Sequence, residues 1–167
     1  MPPDPTPAPT PPASLSSVDR VRASLAAQGL DHLTVREFAA STATASDAAA
    51  AIGTTVGRIV KSLVFMAGEQ PVLVLVSGSN RVDVEKVGRL LRKPITRPNA
   101  DLVKTLTGFS IGGVPPLGHA HRLATLIDRD LLQYDKVWAA AGTPNAVFAI
   151  APPDLVRITA GRVDDVS

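Results

Sequence analysis

The chain has 167 residues with a formal net charge of +2, and 45% of them are apolar, which predicts one globular domain with a sizeable core. The absence of cysteine excludes disulfides, thiolate metal sites and a cysteine nucleophile. No apolar run approaches the roughly 20 residues that cross a bilayer, and no secretory leader is visible, so we expect a cytoplasmic protein with no membrane partner.

The N-terminal end differs in composition from the rest of the chain. Residues 1–13 are of low complexity and rich in proline, so we expect a disordered or polyproline-like tail followed by a folded domain over 14–167. Ser16 and Asp19 then have the spacing of a capping box. Apolar residues follow at helical spacing, and Gly29 is placed to end this first helix.

Next along the chain, residues 32–38 are typical of a short strand. A second helix is predicted to be capped by Ser46 or Asp47 and to stop at Gly53. The segments 58–66 and 71–76 are then apolar on both alternating faces. The short polar segment between them predicts a hairpin in the middle of a covered sheet.

Periodicity and capping also predict the later elements. These are an amphipathic helix over 83–91, a helix over 100–106 bounded by Asn99 and Gly108, strands over 123–127, 136–141 and 146–150, and a last helix starting at 152–154. Helices interleave with strands, while hairpins join several of the strands. The predicted fold class is therefore α/β, a single domain with a mixed, largely antiparallel sheet flanked by helices.

Positive charge is concentrated between residues 58 and 104, where nine Lys or Arg accompany only four Asp or Glu. Neutralisation of phosphates drives much of nucleic-acid binding, so this segment suggests a polyanionic partner. A solvated basic helix face would give the same pattern. The candidate phosphate contacts are Arg81, Arg89, Arg92 and Lys93.

Lys61 is placed in the middle of a predicted strand, with apolar residues on its own face. A charged side chain is rarely buried there without a partner, and a partly desolvated lysine favours an anionic or carbonyl-bearing ligand. Such residues mark active sites more often than chance would give. The alternatives are a lysine that reaches solvent from the strand end, or one that pairs with a buried carboxylate.

A loop rich in glycine and proline runs from residue 109 to residue 119. Glycine opens backbone angles that other residues avoid, and proline fixes φ and removes a donor, so the loop is stiff and shaped. Its free amides and carbonyls can face a ligand, although a tight structural turn would use the same residues.

Two further patterns in this region carry less weight. Ser110 lies in a G-x-S-x-G match, but a helix precedes it and no histidine follows position 121, so the strand–serine–helix arrangement of serine hydrolases is not indicated. His119 and His121 could share a strand face, yet two ligands without a third do not define a metal site. We expect one of these histidines to hydrogen bond at the rim of the loop.

Four segments stand in a specific order: Val60-Lys61-Ser62-Leu63-Val64, then Ser77–Asp83, then Gly108–His119, then Ala141–Asn145. In this order they resemble the YbaK/prolyl-tRNA deacylase family, which consists of free-standing relatives of the editing domain inserted in bacterial prolyl-tRNA synthetases. The resemblance covers about residues 16–165. It implies the barrel-like α/β fold of that family and a hydrolase that removes wrong amino acids from tRNA, chiefly tRNA-Pro.

The resemblance also assigns roles to residues. The family's lysine falls on Lys61 and its Gly-x-x-x-Pro loop on residues 112–116, so Lys61 and Gly112 are the expected catalytic residues for attack of water on the ester. No metal or organic cofactor is implied. The expected substrate contacts are Ser62, Gly113, Val114, Pro115, Pro116, Leu117, Gly118, His119 and Gly142. Arg81, Arg89, Arg92 and Lys93 are the expected tRNA contacts.

The implied partner is aminoacyl-tRNA, with transient contact to prolyl-tRNA synthetase or an elongation factor. Ser62, Ala140 and Val147 differ from residues of relatives specific for alanine or cysteine, so the amino acid stays open between alanine and a slightly larger one. Two alternatives remain. One is a non-catalytic module that binds tRNA or nucleotides, and the other is a metal-dependent hydrolase using His119 and His121.

Deletion of residues 1–13 tests the predicted domain boundary. Because a segment with almost no residues to bury adds nothing to a core, the melting temperature and the deacylation rate should stay nearly unchanged. Thermal unfolding and a deacylation assay of the truncated chain measure both. A clear loss of either would show that the tail docks on the domain.

Overall fold

The computed structural model describes residues 15–167, so the predicted tail lies outside the described residues. Within this range the helices are α1 Ser17–Ala27, α2 Ala45–Ile52, α3 Val84–Leu91, α4 Ala100–Thr107 and α5 Pro152–Thr159. The strands are β1 Val35–Glu37, β2 Val60–Ala67, β3 Gln70–Ser77, β4 Ile95–Thr96, β5 Ala124–Asp128, β6 Val137–Ala140, β7 Ala146–Ile150 and β8 Arg162–Asp164. Short 3₁₀ helices occupy Val56–Arg58 and Arg129–Gln133.

The strands form two sheets. A three-stranded antiparallel sheet has the order β1-β7-β6, and a five-stranded mixed sheet has the order β4-β2-β3-β5-β8. β3 and β5 pair in parallel, as do β5 and β8, while β2 pairs antiparallel with both β3 and β4. An isolated parallel bridge between Ile59 and Trp138 connects the two sheets. The predicted α/β domain with a largely antiparallel sheet is confirmed.

β3 is the central strand of the five-stranded sheet, and its residues from Val72 to Val76 are all buried. One hydrophobic cluster fills the space between the two sheets and α1, and another packs β2, β3 and β5 against α3. A strand covered on both faces must be apolar throughout. This explains why the sequence predicted the central hairpin correctly. Two residues, Gly68 and Glu69, make its turn.

Most predicted helix ends agree with the structure, with one correction. Ser16 caps α1 by accepting from the Asp19 amide, and Asn99 caps α4. The prediction for α2 was wrong, because Thr44 is its cap and its hydroxyl accepts from the Asp47 amide at 3.1 Å. Asp47 is thus three residues inside the cap, as a capping-box carboxylate should be.

Two strand predictions also need correction. β1 spans only Val35–Glu37 rather than 32–38, because only these three residues pair with β7. Lys61 is the second residue of β2 rather than a mid-strand residue. β4 and β8 were not predicted, because they have two and three residues and show no hydrophobic alternation.

No helix between residues 15 and 167 has the combined length and apolarity needed to cross a membrane.

The loop between α4 and β5 is held in shape by its own side chains. Residues 113–117 of this loop are buried. The Nε2 atom of His119 lies 2.6 Å from the Pro115 carbonyl oxygen. Nε2 must be the donor, because a carbonyl can only accept. Burial lowers the pKa of His119, and the bond to Pro115 opposes this effect in part. His119 therefore fixes the end of the loop as a neutral donor.

The pKa of His119 predicts a pH dependence of stability. In the unfolded chain His119 binds a proton with its ordinary pKa of 6.5, whereas in the folded protein the pKa is lower. The unfolded state therefore binds more protons as the pH falls below about 6.5, and the free energy of unfolding should decrease in this window. His119→Gln, whose amide can donate to the same carbonyl, should reduce that decrease. Urea unfolding at pH 7.5 and 5.5 measures it.

His121→Gln provides the matched control. His121 is exposed and lies two residues further along the same segment, so its variant should keep the wild-type dependence on pH. An equal loss of stability between pH 7.5 and 5.5 in wild type and His119→Gln would contradict the assignment of this pH dependence to His119.

Candidate active site

A cavity of about 510 Å³, here called the main cavity, opens between the two sheets beside β2. Its walls come from β2, β6, the segment before α2, the segment before α4 and the 109–119 loop. The lining residues are Thr42, Ala43, Thr44, Ala45, Ser46, Ala48, Ile59, Val60, Lys61, Ser62, Leu63, Val64, Phe65, Gly78, Arg97, Pro98, Val103, Ile111, Gly112, Val114, Trp138, Ala139, Ala140 and Val147.

The wall formed by β2 is an unpaired strand edge. β2 pairs with β3 along its whole length, but on its other side β4 pairs only with Met66 and Ala67. Within the described residues, no strand covers the stretch 61–65 on that side. A partly apolar cavity against an open strand edge offers backbone donors and acceptors to a ligand.

The hydrogen-bond register shows which backbone groups face the cavity. The Gly78 amide donates to the Ile59 carbonyl at 2.7 Å, so Ile59 directs its carbonyl toward β3. Because this direction alternates along an antiparallel strand, Ser62 and Val64 direct their amides and carbonyls to the opposite edge. Two donors and two acceptors of the backbone therefore point toward the main cavity.

Ser62 adds a side-chain group to this edge. Its Oγ is inaccessible to solvent and is the one buried side-chain oxygen or nitrogen within residues 15–167 that has no hydrogen-bond partner. Buried polar groups are nearly always satisfied, because desolvation without a partner costs about 1–3 kcal/mol. Ser62 therefore places an unsatisfied hydroxyl just beneath the wall of the cavity.

Lys61 is fixed by the segment that follows β3. Its Nζ donates to the Asn80 carbonyl at 2.5 Å. Burial lowers the pKa of Lys61 most, the neighbouring Arg81 lowers it further, and the charge of Asp128 opposes both effects. One of three ammonium donors is used in this bond, so two remain for another acceptor.

Behind Lys61 lies a buried carboxylate. Asp128, at the end of β5, is 1% exposed. It accepts from the Ser77 amide at 3.0 Å, from the Asn80 side-chain amide at 2.9 Å and from the Asp130 amide at 2.9 Å. These bonds lock the segment whose carbonyl holds Lys61.

The opposite wall is the loop that contains Gly112 and Gly113. Gly112 has φ +91°, a conformation that residues with a side chain rarely adopt. Gly113 packs on the backbone of Thr143, where a Cβ would come within 2.8 Å of the Thr143 Cα. Close packing on the β6–β7 turn therefore places the loop over the cavity, with Ile111 61% exposed at its tip.

The structure brings together some of the predicted site residues and separates others. Lys61, Ser62, Gly112 and Val114 line the main cavity. The predicted substrate contacts Gly113, Pro115, Pro116, Leu117, Gly118, His119 and Gly142 do not. Leu117 belongs to the core, Gly118 packs against Ser24 of α1, and Gly142 packs against the Ser17 carbonyl.

The predicted tRNA contacts lie outside the cavity. Arg81 is exposed beside Lys61, while Arg89, Arg92 and Lys93 are exposed at the C-terminal end of α3. Lys93 approaches Gly68, so this end of α3 lies at the hairpin turn, the opposite end of β2 from Lys61. The structure therefore places Arg81 next to the cavity and the other three at a distance from it.

Sequence reasoning missed several cavity residues. Trp138 and Arg97 line the cavity, as does the segment 42–46 before α2. The Thr44–Asp47 capping pattern could have placed the start of α2 at this segment. Trp138 gave no local signal, because its position depends on the bridge to Ile59.

Two other candidate chemistries have little support in the geometry. Ser110 is exposed in the loop after α4 and does not line the main cavity. Across residues 15–167, no three His, Asp or Glu side chains are grouped as metal ligands would be. The chemistry of the cavity therefore depends on a lysine and backbone groups.

Comparisons with known proteins show which proteins this chain resembles. A solved structure described as a "putative trans-editing enzyme for prolyl tRNA synthetase" superposes with a TM-score of 0.87 and 48% identity, covering 90% of this chain and 96% of that one. The protein YwhH of Bacillus subtilis is 32% identical over 130 residues, which are 77% of this chain and 83% of YwhH. The "Putative Cys-tRNA(Pro)/Cys-tRNA(Cys) deacylase EbsC" of Enterococcus faecalis is 25% identical over 74% of this chain and 76% of EbsC.

The family model for the aminoacyl-tRNA editing domain matches residues 39–158, a span that includes β2, the 109–119 loop and β6. The resemblance found in the four ordered sequence segments is thereby confirmed. The chain belongs to the family of aminoacyl-tRNA editing domains.

Proposed function

We propose that the protein is a trans-acting hydrolase that deacylates mischarged aminoacyl-tRNA, and that its main substrate is tRNA-Pro carrying alanine or a similar small amino acid. The observation that carries the proposal is the position of Lys61, a partly buried lysine that lines a cavity of about 510 Å³ beside an unpaired strand edge. The names of the related trans-editing enzyme and of EbsC support hydrolysis of aminoacyl-tRNA and point to tRNA-Pro.

The chemistry follows from the groups in the cavity. Water attacks the carbonyl carbon of the ester, the carbonyl oxygen becomes an oxyanion, and the bond to the terminal ribose oxygen breaks as that oxygen takes a proton. Lys61 and the free amides along β2 provide positive potential and donors for the developing charge. Gly112 and Val114, which line the cavity from the Gly112–Pro116 loop, cover the reacting end and hold it in place. No side-chain nucleophile is needed when a water and the ester are both positioned.

The walls of the cavity offer apolar contacts to the side chain of the amino acid. Ala43, Ala45, Ala139 and Ala140 supply short side chains, and Val64 supplies an apolar one. The carbonyls of Ser62 and Val64 provide acceptors for an α-ammonium group. Because discrimination by pocket size alone is modest, a second site that hydrolyses small wrong products complements the synthetase.

Lys61→Ala tests the central role. Removal of one preorganised charge commonly costs about 10²–10³ in rate, so deacylation of alanyl-tRNA-Pro should fall by that factor. The melting temperature should stay close to that of wild type, because the substitution removes a partly desolvated ammonium and no core contact. Single-turnover deacylation with radiolabelled alanine measures the rate.

Ser110→Ala is the matched control for this experiment. Ser110 is exposed and outside the cavity, so its variant should retain substantial activity. Normal turnover in Lys61→Ala together with an inactive Ser110→Ala would support a serine hydrolase and reject our mechanism. Binding of tRNA without any turnover in wild type would favour the non-catalytic module.

Chelation tests the metal-dependent alternative. His119 is bonded to Pro115 and His121 is exposed, and no third ligand accompanies them within the described part of the chain. Deacylation should therefore survive prolonged dialysis against EDTA. Recovery of a lost activity on addition of zinc would instead establish the metal-dependent reaction.

A further inference from the structure

The outer face of the three-stranded sheet carries a cluster of two cations around a tryptophan. Residues that pair directly across antiparallel strands share a face, so Arg36 lies on the same face as Val147, and Val147 on the same face as Ala140. Trp138 pairs with Ala149, which is two residues from Val147 and therefore shares that face too.

The cations of this cluster are held by aromatic rings. The Cζ atom of Arg36 lies 5.6 Å from the centroid of the Trp138 ring and 5.0 Å from that of Phe38. The Nζ atom of Lys136 lies 5.4 Å from the centroid of Trp138. Cation–π contacts of this kind orient a charge without neutralising it.

The charges nearby leave Arg36 and Lys136 uncompensated. The two carboxylates that line the adjoining surface depression, Asp135 and Asp154, are bound to other partners, Arg58 at 2.5 Å and Arg157 at 3.5 Å. Within residues 15–167, neither Arg36 nor Lys136 forms an ion pair, and both are exposed. Two free cations, fixed in place, suit a polyanion.

The cluster is continuous with the main cavity. Trp138 lines both the main cavity and the adjoining depression of about 410 Å³, which Arg36 and Lys136 also line. On the same sheet face, Ala140 and Val147 lead into the main cavity. A strand whose terminal residue occupies the cavity can therefore leave it over Trp138 and reach both cations.

We propose that Arg36 and Lys136, oriented by Trp138, bind phosphates of the single-stranded 3′ end of tRNA as it enters the main cavity. This inference rests on the proposed function, because it takes the terminal aminoacyl-adenosine to be the group in the cavity. The proposal assigns the first phosphate contacts to Arg36 and Lys136 and not to the residues Arg89, Arg92 and Lys93, which lie at the hairpin turn. Neither Arg36 nor Lys136 belongs to the basic segment 58–104.

The test measures the affinity of uncharged tRNA-Pro as a function of salt for wild type and the double variant Arg36→Gln/Lys136→Gln. Loss of two contacts to a single strand should make the slope of log K against log salt shallower by about 1.4. Between 50 and 200 mM salt the variant should therefore lose roughly sevenfold less affinity than wild type. Both residues are exposed, so the variant should fold.

Arg129→Gln/Arg162→Gln is the matched control, because it removes the same charge from exposed residues paired with Asp165 and Asp164. Its slope should equal that of wild type. An equal change of slope in both double variants, or none in either, would overturn the proposal.

A tRNA shortened by its four unpaired 3′ nucleotides should abolish the difference between wild type and Arg36→Gln/Lys136→Gln. A difference that persists would place the cluster on the duplex stem and reject the assignment.

Hydrolysis of alanyl-adenosine, which has the ester but no phosphate, separates this proposal from the proposed function. The Arg36→Gln/Lys136→Gln variant should hydrolyse it at the wild-type rate and be slower only on alanyl-tRNA-Pro. If wild type hydrolyses neither substrate, the proposed function fails, whereas the salt dependence with uncharged tRNA still decides whether the cluster binds the 3′ end.

Discussion

Asp128 lies almost completely buried at the end of β5, and a carboxylate in that position must be surrounded by donors. Its donors are the Ser77 amide, the Asn80 side chain and the Asp130 amide, which belong to the ends of two parallel strands and the segments after them. The same Asn80 presents its carbonyl to Lys61. One buried charge therefore ties the central sheet to the cation of the candidate site, and loss of this network would release both.

The candidate site also depends on what the sheet leaves unpaired. β2 has a partner along its whole length on one side and only two paired residues beside β4 on the other. Open strand edges are usually covered or blunted, because they attract other strands. Here the 109–119 loop and β6 enclose the edge of β2 without bonding to its middle. The edge is thus protected from other chains while its amides and carbonyls stay available to a small substrate.

Surface cations differ in whether a carboxylate is paired with them. Arg58, which also lies over the Tyr134 ring, and Arg157 are paired with carboxylates, whereas Arg36 and Lys136 rest against aromatic rings without such a pair. Exposed ion pairs contribute little to stability and cancel the local field. Cations held by rings keep their field, which makes them suitable for phosphates. Position beside the cavity, together with the lack of a paired carboxylate, therefore indicates where a nucleic acid would approach.

The sequence by itself determined the α/β class, the central hairpin and most helix ends, because apolar periodicity and caps at Ser16 and Asn99 are local properties. The motif order, with the lysine and the glycine–proline loop, also determined the family. Only the tertiary structure decided which residues share the cavity. The bridge to Ile59 places Trp138 in the cavity wall, whereas Gly142 packs against α1 and does not line the cavity. Long-range packing between sheets and helices sets both positions. Local patterns carry no information about such contacts.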